Sequence, residues 1–193
     1  MEQTAKVDLT KNKRWVTQME TYFDSADSKK TGHLSLEMFD KWADNIRDLG
    51  KATAEEIQEV RVTIRDFFIA AGILPGKPAT KKGFIEGMSR LAHHELEKKR
   101  LGEPTLHEKS SNAIYDALGI KSDDVVTVDD VKVFMKCVDM DPEGAVQYFA
   151  MADKEKKGKL PRDDLIKLEF QFWFEPEDES TKGMYGGTYE GAE

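Results

Sequence analysis

The sequence predicts an all-α protein built from four helix–loop–helix units, packed as two pairs in one compact globule. Three observations carry that prediction. Apolar residues recur at helical spacing through eight segments, and the loops inside the segment pairs superpose on one another without gaps. No convincing strand longer than the short Val125–Thr127 type of segment interrupts the pattern. With 193 residues the chain is long enough to bury a real core. An N-terminal pair is expected over residues 1–102, and a C-terminal pair with its tail over 103–193.

The first helix carries Trp15, Met19 and Tyr22/Phe23. The second carries Phe39, Trp42, Ile46 and Leu49, with Gly50 as its stop. The third opens at "TAEE", where Thr53 and Glu56 form a capping box, and then sets Ile57, Val60, Ile64 and Phe67/Phe68 on one face. A fourth takes Phe84, Met88 and Leu91. "TLHE" repeats the box at Thr105 and Glu108 and opens a fifth helix through Ala113, Ile114 and Leu118. Val131, Phe134/Met135 and Val138 make the sixth. "DPEGAVQYF" opens the seventh, with Asp141 as cap and Pro142 in the first turn, and Leu165, Leu168 and Phe172 mark the eighth.

The 39% apolar and 34% charged content, with ten Phe, three Trp and five Tyr, is that of a soluble globular chain. A net charge of −8 argues against nucleic acid or an anionic membrane as main partner, because both reward concentrated positive charge. The basic run Lys98–Lys99–Arg100 is too short to reverse that. No stretch approaches the roughly 18 unbroken apolar residues of a membrane span, and "MEQTAKVDLTKNKR" lacks the apolar run of a signal peptide. A cytoplasmic monomer is expected. Cys137, the single cysteine, lies on an apolar stripe and reads as a buried, inert thiol.

The loops hold the most specific information. In "FDSADSKKTGHLSLEMF" (Phe23–Phe39), "YDALGIKSDDVVTVDDV" (Tyr115–Val131) and "FAMADKEKKGKLPRDDL" (Phe149–Leu165), an aromatic residue stands four places before the loop. Each also has an apolar residue at loop position eight: Leu34, Val126 and Leu160. "GILPGKPATKKG" (Gly72–Gly83) fits as the remaining copy, with Thr80 at the capping place and no carboxylate. The frame resembles the EF-hand, whose twelve-residue loop wraps a hard cation in oxygens from positions one, three, five, seven and nine, with Gly at six and a bidentate Glu at twelve. Here the ligands have gone. The first loop keeps Asp27 and Gly32 but has Lys29 at three, Thr31 at five and Met38 at twelve, and a thioether cannot replace a bidentate carboxylate. The third has Gly119 at one, Lys121 at three, Asp123 at five, Asp124 at the glycine position and Asp130 at twelve. The fourth retains Asp153, Glu155, Gly158 and Asp164, with Lys157 at five. Aspartate at twelve reaches an ion through one oxygen and suits Mg²⁺ better than Ca²⁺. The metal candidates are therefore Asp153, Glu155, Lys159 through its backbone carbonyl, and Asp164, all as a weak site. The repeats keep packing information and have lost ligation.

The run "KRLGEPTL", the "FWFEP" of Phe172–Pro176, the "RVTIRDFF" helix and a tail with repeated tyrosines resemble the calcium-regulated photoproteins of comb jellies. The resemblance runs from about Phe23 to Tyr189; more distantly the chain is similar to sarcoplasmic calcium-binding and luciferin-binding proteins. It implies four helix–loop–helix units around an internal cavity, where coelenterazine and oxygen are held as a peroxide and calcium at three loops triggers decarboxylation and blue light. The three damaged loops here are the three that bind calcium in such relatives. Where relatives carry an arginine, a tryptophan and an asparagine in the pocket, this chain has Tyr22, Phe84 and Met88, and Ala71 replaces a lysine. Trp42 and Trp173 match. Tyr189 aligns with the terminal tyrosine, a candidate catalytic and lid residue, although Glu190–Glu193 extend beyond it. The resemblance thus nominates Tyr22, Trp42, Phe84, Met88, Trp173 and Tyr189 as ligand-binding residues.

Other constellations are weaker. His93 and His94 are adjacent and point apart on a helix, while His33 and His107 lack zinc-type spacing. No Gly-rich phosphate loop, nucleophile elbow or catalytic triad signature is present. The aromatics Phe67, Phe84, Phe134, Tyr148, Phe149, Phe172 and Trp173 read either as ordinary core or as cavity lining. Three functions stay open. The favoured one is an apolar small molecule, such as coelenterazine, held in the bundle without a calcium trigger, any turnover being oxygen-dependent coelenterazine oxidation. The others are a weak calcium or magnesium buffer or sensor and a non-catalytic interaction scaffold.

Overall fold

The computed structural model describes residues 7–176. A 3-10 turn at Leu9–Lys11 leads into eight helices: α1 (Lys13–Ala26), α2 (Leu36–Asp48), α3 (Ala54–Ala70), α4 (Lys81–Leu101), α5 (Leu106–Ala117), α6 (Val128–Cys137), α7 (Gly144–Ala152) and α8 (Arg162–Phe174). Short strands lie in the loops: β1 (His33–Leu34), β2 (Ala79–Thr80), β3 (Val125–Thr127) and β4 (Lys159–Pro161). They join the loops two by two. β1 pairs antiparallel with β2 and sets Leu34 opposite Ala79, and β3 pairs with β4 and sets Val126 opposite Leu160. Loop position eight is therefore the pairing position, as its apolar character implies.

Helix starts follow the cap chemistry of the sequence. Thr53 and Glu56 exchange hydrogen bonds at 2.8 and 3.1 Å, Thr105 and Glu108 both at 3.0 Å, and the Thr80 hydroxyl accepts from Gly83 N at 3.2 Å. The seventh helix begins later than expected. Asp141 does accept from Glu143 N at 3.0 Å, but regular α geometry starts at Gly144. Leu49, expected on the apolar stripe of α2, is exposed, because the helix has already ended at Asp48.

The core runs through both halves, and α3 packs on α2 and on α5. At its centre is α8, whose Leu165, Ile166, Phe170, Phe172, Trp173 and Phe174 are all buried, together with Arg162 and Glu169. Its last carbonyls, which no helical N–H can reach, are satisfied from α1: Trp15 Nε1 donates to Trp173 O at 2.8 Å and Gln18 Nε2 to Phe172 O at 2.7 Å. At its other end the Arg162 guanidinium donates to Asp116 Oδ1 (2.7 Å), Ile120 O (2.6 Å) and Asn112 Oδ1 (2.6 Å). A buried cation is tolerated only with such partners. No helix among the described residues is long and apolar enough to cross a membrane.

One helix crossing depends on the lack of a side chain. A Cβ at Gly87 on α4 would stand 1.6 Å from the carbonyl oxygen of Ala71, which ends α3. In an open helix, Gly→Ala would gain about 1 kcal/mol. Here Gly87→Ala should instead lower stability by roughly 2 kcal/mol or more, because two backbones must separate. Urea denaturation of the variant beside the parent chain checks the sign.

Candidate functional site

Three helices contribute one face each to an internal cavity of about 40 Å³. α3 supplies Ile64, Phe67 and Phe68; α5 supplies His107, Ser110, Ser111, Ile114 and Tyr115; α8 supplies Glu169 and Trp173. Trp42 of α2 and Phe134 of α6 complete the wall. The four-residue steps from His107 to Ser111 to Tyr115, and from Glu169 to Trp173, put each set on one helical face. The first turn of α5 is fixed twice. Beside the Thr105 box, the fully buried Glu95 of α4 accepts from Leu106 N at 3.1 Å and from His107 N at 2.9 Å.

One end of this cavity is polar. Tyr115 Oη donates to Glu169 Oε1 at 2.6 Å and Ser111 Oγ to Glu169 Oε2 at 2.9 Å. His107 Nε2 lies 3.4 Å from Ser111 Oγ and 3.9 Å from Glu169 Oε2, while its Nδ1 has no hydrogen-bond partner among the described residues. Burial, opposed by the Tyr115 and Ser111 hydrogen bonds, raises Glu169 from 4.5 to about 7. Burial and, secondarily, the positive Lys99 lower His107 from 6.5 to about 3. The imidazole is thus neutral at pH 7, and the carboxyl titrates near neutrality.

The two tryptophans nominated from the sequence, Trp42 and Trp173, line this cavity. Tyr22 and Phe84 do not. They pack behind Trp173, Tyr22 meeting its ring edge-on at 4.6 Å and stacking on Phe84 at 5.8 Å, and burial raises the Tyr22 phenol. Met88 is fully buried on α4, one turn beyond Phe84. Tyr189 lies outside the described residues. Of the aromatics with two readings, Phe67, Phe134 and Trp173 line the cavity and Phe84, Phe149 and Phe172 are buried in the core, while the Tyr148 side chain lies outside those described. The sequence reading missed His107, Ser111, Tyr115 and Glu169. An acidic residue inside the apolar run "LEFQFWF" was the available signal.

Outside the cavity, between the first loop and the α6–α7 connection, lies a groove of about 410 Å³ lined by Met38, Phe39, Trp42, Pro78, Val138 and Asp139 among others. Trp42 is common to both spaces. It meets Phe39 edge-on at 5.1 Å and Phe68 at 5.7 Å, so a small aromatic cluster separates the groove from the cavity.

The first and fourth loops share one backbone. Lys30 and Lys156 at position four and Gly32 and Gly158 at position six have positive φ, and each position-one aspartate faces the amides behind it. Asp27 accepts from Thr31 N and Gly32 N, and Asp153 from Lys157 N and Gly158 N, at 2.6 to 2.9 Å. Glu155 is paired with Lys157, Lys159 lies in β4 and Asp164 in the first turn of α8. The third loop differs: its positive φ is at Gly119, and Asp124 Oδ2 accepts from Lys121 N at 2.6 Å. Among the described residues, no group of three His, Cys, Asp or Glu side chains is placed to hold a metal ion.

No protein-family model matches the chain. Obelin of Obelia longissima is 29% identical over 178 residues, 91% of each chain. The solved complex of apoaequorin with (S)-HM-daCTZ superposes with a TM-score of 0.80 at 27% identity, over 97% of this chain and 96% of that one. The photoprotein berovin of the ctenophore Beroe abyssicola, in its Ca²⁺-loaded apoprotein state, is 30% identical, with a TM-score of 0.70 over 88% of this chain and 100% of that one. The chain belongs to the calcium-regulated EF-hand photoproteins. This photoprotein relative therefore shares their fold, and its cavity can be read against that kinship.

The two buried titrations have opposite signs. Glu169, raised in the folded state, binds one more proton there than in the unfolded chain between about pH 4.5 and 7, so it stabilises as pH falls through that range. His107, lowered in the folded state, stabilises above 6.5 and loses that contribution as pH falls toward about 3. Between about 4.5 and 6.5 they cancel. Glu169→Gln should remove the compensation and lose roughly 2–3 kcal/mol relative to the parent chain over that window. Urea midpoints at both ends of the window, for both chains, measure it.

Proposed function

We propose that this chain is a photoprotein-like binder that encloses an apolar, planar small molecule, coelenterazine being the named candidate, and does so without a calcium trigger. The observation that carries the reading is an aromatic-walled cavity with a single polar end, in a chain of this family. Such sites are mostly apolar with a few placed polar groups, which is the composition found here. Ile64, Phe67, Phe68, Phe134, Trp42 and Trp173 would hold the rings, and Glu169, Ser111 and Tyr115 the polar edge. When bound, coelenterazine would supply the oxidisable ring system; the chain's part is to orient it and exclude water.

The wall chemistry fits such a ligand, and the present volume does not. About 40 Å³ holds little more than water, whereas drug-sized ligands occupy roughly 300–1,000 Å³. Binding in this reading displaces Trp42, the side chain shared with the 410 Å³ groove, and merges the two spaces. Contact adaptation of this kind is common on binding.

The loss of calcium control rests on donor chemistry. Lys29, Met38, Lys121 and Lys157 stand where oxygen ligands belong, and ammonium groups oppose a cation. The fourth loop, with its preformed Asp153 turn, supports at most a weak Mg²⁺ or Ca²⁺ site as a second role.

Tryptophan fluorescence of the purified chain titrated with coelenterazine, while photons are recorded, tests this. Saturable quenching unchanged by chelator or by millimolar calcium is expected. Absence of quenching sinks the reading, and quenching that requires calcium sinks its trigger-free part.

A further inference from the structure

The cavity's polar end has an excess of acceptors, and that excess specifies its ligand. Each hydroxyl proton on the wall is already committed: Ser110 Oγ donates to His107 O at 2.9 Å, and Ser111 and Tyr115 both donate to Glu169. Ser111 has one proton and gives it to the nearer Glu169 oxygen, so the 3.4 Å contact to His107 is made by a protonated Nε2, a tautomer assigned from this network. His107 Nδ1 is then a bare lone pair with no partner among the described residues, on a side chain that is 3% exposed. The Glu169 carboxylate, 4% exposed, accepts two hydrogen bonds and has further lone pairs to fill. Buried acceptors without donors are costly, and a ligand that supplies donors gains what the protein lacks.

We propose that the Glu169–Ser111–His107 cluster is a donor-reading, proton-linked binding site: it selects planar aromatic ligands that present an N–H or phenolic O–H, and binds them through ionised Glu169. This deepens the cavity reading and rests on it. Discrimination of this kind is large, because an analogue without the donor leaves the buried acceptors unpaired.

The groups around the carboxylate define its titration. From α5 come His107, Ser111 and Tyr115; Arg162, earlier on α8, stands 5.9 Å over the Tyr115 ring. From α4, Glu95 holds the His107 amide, and Lys99 lies over Phe170 at 4.1 Å and pairs with Glu175 at 2.9 Å. The lining contributed by α2, α3 and α6 is apolar or aromatic, with no acid or base. Glu169 is thus the group that changes charge near neutrality in this cavity.

The test is coelenterazine, whose phenols are donors, titrated by tryptophan fluorescence between about pH 5.5 and 8.5 against the parent chain, Glu169→Gln and Ser111→Ala. The parent's affinity should fall about tenfold per pH unit below the Glu169 midpoint, by single-proton linkage. Glu169→Gln should bind about tenfold or more weakly at the alkaline end and show a flat profile. Ser111→Ala keeps the carboxylate but removes a donor that favours its ionised form, so its midpoint should move to higher pH. A Ser111→Ala midpoint that does not move overturns the proposal while leaving the cavity reading intact, as does a parent profile that is flat with binding retained. No binding by the parent at any pH ends both.

Discussion

The seating of α8 is the constraint on which the rest of this molecule depends. A helix with most of its residues buried must hide polar groups as well as apolar ones, and α8, exposed only along Asp163, Asp164 and Lys167, carries Arg162 and Glu169 into the interior. Each has found partners on α5: Asp116 and Asn112 for the guanidinium, Ser111 and Tyr115 for the carboxylate. Its C-terminal carbonyls are met by Trp15 and Gln18 of α1. These contacts, all specific in direction, fix the rotation of α8, and that rotation turns Trp173 and Glu169 toward the same cavity.

The loops show how one backbone frame tolerates different residues at its polar positions. The first and fourth keep the turn of a cation-binding loop, with the position-one aspartate drawn onto backbone amides. Those amide hydrogen bonds hold the turn closed around the aspartate. In the third loop, where position one is glycine, the turn has changed, yet Val126 still pairs with Leu160. Strand pairing at position eight holds the units together regardless of the metal chemistry.

Much of this was legible in the sequence, for identifiable reasons. Helical spacing, the Thr53 and Thr105 boxes and the position-eight residues are local signals. The boxes and the position-eight pairing appear where their residues place them, while α2 ends short of Leu49 and α7 starts late. Trp42 and Trp173 could be nominated through the family resemblance, and they do meet at one cavity. The polar end could not be derived in that way. His107, Ser111 and Tyr115 share a face of α5, but their partner is Glu169, 54 residues beyond Tyr115, and only the packing of α5 on α8 joins them. Nor does local pattern tell that Tyr22 and Phe84 would stack behind Trp173 and take no part in the cavity wall.

Whether the interior of this bundle opens to an aromatic ligand with no cation bound is decided by a crystal structure of the chain grown with coelenterazine in calcium-free, chelator-containing solution. Ligand density is expected between α3, α5 and α8, with Trp42 displaced toward the groove and a ligand donor on Glu169. Density confined to the outer groove, with Trp42 still closing the cavity, would show that the interior stays shut.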